Sequence, residues 1–263
     1  MIMLWDHPFS PYAQKVKIAL VEKSLAFETR IPGGIGVGGA GGDFVAASPR
    51  AEVPALIDGA TRVFDSTIIL EYLEDAYPDP ALLPAGAADR ARVRMLEDVA
   101  DTQYEAINWG LTELAAFGRG RDGAASALRA RGEAQVRGMH AWLARELGDR
   151  EWFNGDAFGW GDLSVVPYVN GSAGHGLSPD PGSRLADWLA RVNGRPSLQR
   201  VAGDVAAVAQ AGGMGAVAEL LEQGLFKRQY RDHRLEWMVK SGGLAVVTEG
   251  LAKGNIRFSP DLA

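Results

Sequence analysis

SPRAEVPALIDGATRVFDSTIILEYLEDAYP, residues 48 to 78, decides the fold. Pro54 to Ile57 and Arg62 to Phe64 are two short strand-like runs. Between them stands Asp58-Gly59, a pair suited to the tight turn of a hairpin because both residues tolerate the left-handed backbone. Asp65 and Ser66 follow at once. Their short oxygen-bearing side chains can accept the free N–H groups that open a helix. The helix they open, STIILEYLEDAY, is stopped by Pro78, whose ring clashes with the preceding turn. A hairpin therefore runs directly into a helix.

Upstream, Met1 to Trp5 is an apolar run with the character of a strand buried on both faces. Pro11 to Glu22 has helical spacing, with Pro at the favoured first position. Ala26 to Ile31 reads as a second strand. IPGGIGVGGAGGD then places seven glycines between Gly33 and Gly42, a density that cannot hold a regular element cheaply, so a mobile loop is expected. A phosphate cradle needs tighter glycine spacing opening a helix, and that is missing here. The order is β-α-β-loop-β-β-α.

Downstream, DPALLPAGAAD is the best boundary candidate. Beyond it the pattern is helical: Ala88 to Ala116, Ala124 to Leu147, Gly159 to Tyr168, Leu185 to Val192 and Leu198 to Ala209. An extension from Met214 to Ala263 carries more helical pattern. The expectation is an α+β chain of two domains, residues 1–80 and 88–263.

The 263 residues include no Cys, which excludes disulfides, thiolate metal sites and any nucleophile built from the chain's own thiol. A net charge of -6 argues against a nucleic-acid footprint. No apolar run approaches the roughly 20 residues of a membrane span. The start, MIMLWDHPF, lacks the basic leader of a signal peptide, so a cytoplasmic location without membrane or nucleic-acid partners is expected.

Five segments in register resemble the cytosolic glutathione transferases: SPYAQKVKIAL (10–20), SPRAEVPALIDG (48–59), FDSTIILEYLEDAYP (64–78), RARVRMLEDVAD (90–101) and WFNGDAFGWGDLSVVPY (152–168). The resemblance covers roughly residues 1 to 205. FGWGD and a tail ending in FSP look like bacterial members related to glutathione-dependent lignin-fragment enzymes. The family implies a thioredoxin-like N-terminal domain, an all-α C-terminal domain, glutathione as co-substrate and a homodimer. It implies a detoxifying transferase whose thiolate attacks a hydrophobic electrophile. A glutathione-dependent ether-cleaving or dehalogenating enzyme, and a non-catalytic interaction protein on the same scaffold, are the alternatives.

Residue by residue, Ser10 falls where a helix N-terminus and a hydroxyl can favour a glutathione thiolate. Tyr12 is the alternative hydroxyl, and a plain capping role for Ser10 is the bland one. The resemblance makes Val53-Pro54 a cis-proline site whose backbone pairs with the peptide of glutathione. It makes Asp65 and Ser66 the partners of the γ-glutamyl ammonium and carboxylate. One departure stands out. Several relatives have a basic residue just before Val-Pro, near the glycine end of glutathione, where this chain has Ala51-Glu52. Arg50, Gln14 and Lys15 are candidate substitutes.

Asp162 reads as a helix cap. Tyr104, Asn108, Trp109 and Phe117 line the helix that borders the family's electrophile pocket, and are otherwise core. Phe226, Tyr230 and Trp237 could cover that pocket. His7 is a turn histidine or a base near Ser10. His140, His175 and His233 lack metal-ligand spacing, so no metal is expected. Lys227, Arg228, Arg231 and Arg234 alternate with acids and read as a solvated helix face.

Overall fold

The computed structural model describes residues 1–37, 39–120, 123–211 and 215–260. The chain opens with β1 (Ile2–Trp5), α1 (Pro11–Glu22), β2 (Phe27–Arg30), α2 (Gly42–Ala47), β3 (Ala55–Asp58), β4 (Thr61–Phe64) and α3 (Ser66–Ala76). The strands form one sheet in the order β2-β1-β3-β4. β1 runs parallel to β2 across the α1 crossover, and β3 is antiparallel to both β1 and β4. This is the thioredoxin-like arrangement.

Leu4 and Leu56 from the sheet and Val16, Ile69 and Leu73 from the helices are wholly buried between the layers. β1 departs from the expected two-sided burial: Ile2 and Leu4 are buried, Met3 and Trp5 only partly. Trp5 meets Phe44 of α2 with ring centroids 5.4 Å apart. The Gly-rich stretch hid that short helix. Over its described residues the expected mobile loop forms turns that dock on the extension, with Lys227 N–H donating to the Gly36 carbonyl at 2.6 Å. A Cβ on Gly36 would stand 2.3 Å from the Phe226 ring, so a side chain there would prevent the contact.

The helical part comprises α4 (Ala87–Val99), α5 (Glu105–Ala115), α6 (Ala124–Leu147), α7 (Trp160–Gly174), α8 (Arg184–Asn193) and α9 (Pro196–Gln210). A π-helical turn, Ala100–Tyr104, separates α4 from α5 where the sequence pattern reads as one continuous helix. Such turns push side chains off the regular helical register.

α7 is the central helix, buried from Trp160 through Val169. Asp162 anchors its start. Its carboxylate accepts the N–H groups of Phe153, Asn154 and Gly159 at 2.8, 3.2 and 3.1 Å, and Trp188 Nε1–H at 2.8 Å. Burial pushes its carboxyl up to about 6 despite these donors. Gly159 precedes it because a Cβ there would stand 2.4 Å from the Leu82 carbonyl oxygen.

The extension adds α10 (Gly215–Glu222), β5 (Arg228–Gln229), α11 (Asp232–Lys240), α12 (Leu244–Ala252) and β6 (Ile256–Arg257). β5 and β6 pair in parallel, so the C-terminal part is largely rather than wholly helical. The extension packs on α5. Tyr230 meets Trp109 edge-on at 4.6 Å, and Phe226 stacks on Phe117 at 6.4 Å. The Trp237 indole lies over Gly110 and Gly132, so closely that a Cβ on Gly110 would stand 2.1 Å from the ring. Among the described residues no helix is long and apolar enough to cross a membrane.

Candidate active site

A cavity of about 320 Å³ lies where the starts of β3 and α3, the π-helical turn after α4 and the strap between β5 and α11 come together. Val53, Pro54, Asp65 and Ser66 all line it. The Val53-Pro54 peptide is cis.

Asp65 sits at φ 75°, a costly backbone for a residue with a Cβ. Its carboxylate caps α3, accepting from Thr67 N at 3.1 Å and Ile68 N at 3.5 Å. The Ser66 N–H, at the very start of the helix, takes no part in that cap and is available to an anion. Arg50 Nη2 donates to Asp65 Oδ2 at 3.2 Å.

A buried network forms the floor. The Lys15 ammonium contacts Glu97 Oε1 at 2.5 Å and also Asp101. Burial alone would lower the Lys15 pKa, but Asp101 and Glu97 outweigh it, so the ammonium stays charged. Glu97 further accepts from Thr67 Oγ1 at 2.9 Å and Trp160 Nε1 at 2.6 Å. Tyr168 OH donates to Asp101 Oδ1 at 2.7 Å. One charge cluster thus ties α1 and α3 to α4 and α7 directly beneath the cavity, and removing one partner would leave a buried charge uncompensated.

The extension forms the third side. Arg231, Asp232 and His233 line the cavity. Arg231 Nη1 donates to Glu52 Oε2 at 3.1 Å and Gln229 Nε2 to Glu52 Oε1 at 2.6 Å. Arg234 Nη2 and His233 Nε2 hold Glu105 at 2.5 and 3.0 Å. Burial raises the Glu105 carboxyl, but the Arg234 guanidinium and the hydrogen bonds from His233 and Arg234 outweigh it and bring it down to about 2.

Ser10 caps α1, its Oγ accepting from Ala13 N at 3.3 Å. It stands two residues before Tyr12, which lines the cavity, and is itself not in the cavity wall. Tyr12 OH is engaged, donating to the Asp101 carbonyl at 2.7 Å, and burial raises its pKa well above 10. His7 serves its turn: Nδ1 accepts from Phe9 N at 3.3 Å. Burial lowers its pKa.

Tyr104, Trp109 and Phe117 are buried in the core, covered on the α5 side by the extension. The solvated-face reading of the basic cluster is corrected here. Arg228 pairs with Glu113, Arg231 with Glu52 and Arg234 with Glu105. Glu105 and Glu113, eight residues apart on an otherwise packed helix, were the available signal for cationic partners.

The model of the glutathione S-transferase N-terminal domain matches residues 4–81. The glutathione S-transferase GstB of Escherichia coli K12 is 28% identical over 207 residues, covering 76% of this chain and 97% of the relative. A probable glutathione S-transferase, GSTU1, of Oryza sativa subsp. japonica is 32% identical over 180 residues, covering 64% of this chain and 72% of the relative. A solved glutathione S-transferase from Methylobacterium radiotolerans, complexed with glutathione sulfonate, superposes with a TM-score of 0.64 at 30% identity, covering 76% of this chain and 93% of that one. The chain belongs to the glutathione S-transferase family.

Proposed function

We propose that this chain is a glutathione transferase in which Ser10 stabilises the glutathione thiolate. The observation that carries the reading is one cavity wall holding cis-Val53-Pro54 together with Asp65 and Ser66 at the α3 N-terminus. The Val53 backbone pairs with the cysteinyl unit of glutathione as an added strand would. The Asp65 carboxylate takes the γ-glutamyl ammonium, and the Ser66 N–H and hydroxyl take its carboxylate.

The Ser10 Oγ already accepts from Ala13 N, which leaves its hydroxyl proton to donate. A hydrogen bond to sulfur at a helix N-terminus favours the anion over a thiol that ordinarily titrates near about 8.5. The thiolate then forms a carbon–sulfur bond, and the leaving group departs with its electron pair. Apolar surface for a hydrophobic electrophile comes from Val53, Pro54, Phe64 and the Tyr12 ring.

Residues 1–80 form the glutathione-binding domain, and 88–263 the helical domain with the extension. The detoxifying enzyme works in the cytoplasm as a homodimer. Exposed Ile68 on α3 and Met95 on α4 supply apolar contact surface, and the mass in solution by light scattering tests the dimer.

Ultraviolet titration of bound glutathione tests the thiolate mechanism. Ser10→Ala should raise the thiol pKa by about one to two units and lower kcat at pH 6.5 by roughly tenfold to a hundredfold. An unchanged pKa and rate would remove Ser10 from the mechanism.

A further inference from the structure

The strap between β5 and α11 is held in place on both sides of the cavity. Before it, Tyr230 is fully buried against Trp109. After it, Arg234 is paired with Glu105 and Trp237 fills the notch over Gly110. Arg231 is therefore aimed by packing, with its side chain 25% exposed.

Its observed partner is Glu52, a carboxylate that also accepts from Gln229 Nε2 at 2.6 Å and Ser259 Oγ at 3.3 Å, with the Arg50 guanidinium 3.4 Å away as a further ion pair. One Arg231 N–H donates to Glu52, and a guanidinium has five. The remaining fork can take a second carboxylate.

Charge decides what that carboxylate is. The cavity wall carries Glu52, Asp65, Glu97, Asp98, Asp101 and Asp232. Arg50, Arg94 and Arg231 are the Arg residues lining it. Glutathione brings two carboxylates and one ammonium, and its thiolate form has a net charge of two minus. Each of its two carboxylates needs donors, and the glycine end has no ammonium of its own to balance the charge. Lys15 is already paired with both Glu97 and Asp101. Arg94 is paired with Glu71 at 2.6 Å, and Arg50 is engaged with Asp65. At the α3 end, Asp65 and Ser66 suit the γ-glutamyl group. Arg231 stands beside Glu52, the residue that precedes Val53 and falls where relatives have a basic residue near the glycine end.

We propose that Arg231, on the C-terminal extension, binds the glycine carboxylate of glutathione, so that the extension supplies one wall of the ligand site and part of its selectivity for the full tripeptide. The proposal rests on the glutathione reading above. Glu52 is then a positioning residue: it and Gln229 fix where the guanidinium points. Arg231 takes two carboxylates on different N–H groups, one from the chain and one from the ligand.

The test uses the full-length protein and two ligands, glutathione and its glycine monoethyl ester, which keeps the shape and removes one charge. Binding is read by calorimetry, and KM and kcat by a conjugation assay. Wild type should bind the ester about tenfold to a hundredfold more weakly than glutathione. Arg231→Gln should lose about the same factor for glutathione while binding the ester within about twofold of wild type, so that the discrimination disappears. The change should fall on KM, with kcat within about threefold, and Arg231→Lys should recover part of the loss.

Equal weakening of both ligands in Arg231→Gln would assign Arg231 a purely structural role and overturn the proposal. So would a wild type that binds glutathione without distinguishing the ester. A wild type that binds neither ligand overturns the glutathione reading itself. A folded Arg231→Lys that regains part of the discrimination shows that a misfolded Gln variant is not the source of the effect.

Discussion

Gly110→Ala tests how the extension is fastened. In the interior of α5, alanine should gain about 1 kcal/mol over glycine from helix propensity alone. The Trp237 ring opposes that gain. A Cβ on residue 110 would lie 2.1, 2.4 and 2.6 Å from three of its atoms, where carbon atoms need about 3.5–4.0 Å. Trp237 is 2% exposed and its Nε1 donates to Gln135 Oε1 at 2.7 Å, so the ring has little room to retreat. Overpacking costs about 1–3 kcal/mol and the lost hydrogen bond about 0.5–1.5 kcal/mol. After the helix gain, a net destabilisation of about 0.5–3.5 kcal/mol remains, roughly a twofold to 400-fold loss in the docked population. Urea unfolding followed by circular dichroism reads the stability, and limited proteolysis reads release of the extension. The double variant Gly110→Ala/Trp237→Leu should recover much of the loss, because the two sites touch. If Gly110→Ala proves as stable as wild type or more so, with an unchanged cleavage pattern, Trp237 does not pack on this notch.

Two further outcomes follow from the buried carboxylates. Glu105 is held at about 2 in the folded chain against an ordinary 4.5. Its contribution is complete above 4.5 and is lost as pH falls from there toward 2. Protease sensitivity around residues 228–240 should rise over that window in wild type, and Glu105→Gln should already be sensitive at neutral pH. A flat acid profile in wild type would refute the assignment. Asp162→Ala leaves four buried donors without their acceptor and should cost about 3–5 kcal/mol, or roughly 10 °C in Tm. A Tm within about 2 °C of wild type would show that water or a rearranged loop replaces the carboxylate.

The local elements were readable because their signals are local. Asp58-Gly59 marks the β3–β4 turn, Asp65 caps α3, Pro11 opens α1, and the amphipathic pattern of 124–147 gives α6 to the residue. What escaped were features fixed by distant partners. α2 lay hidden because glycine propensity outweighed six residues of helix. The π-helical turn has no periodic signature, and it places Asp101 in the cavity wall. Val53, Pro54, Asp65 and Ser66 line one cavity, whereas Ser10 lies outside its wall. The opposite wall did not follow from sequence. Arg231 and His233 look like any charged helix start, and only the acids at 52 and 105, 179 and 128 residues away, make them part of a site.

The reach from Glu52 to Arg231 spans 179 residues, and that from Glu52 to Ser259 spans 207. On the ribosome, residues 48–66 emerge long before the strap that encloses them. A chain made only that far lacks the side of the cleft that Arg231, Asp232 and His233 supply. A ligand that binds the completed cleft better than a cleft without the strap therefore favours the docked strap by mass action.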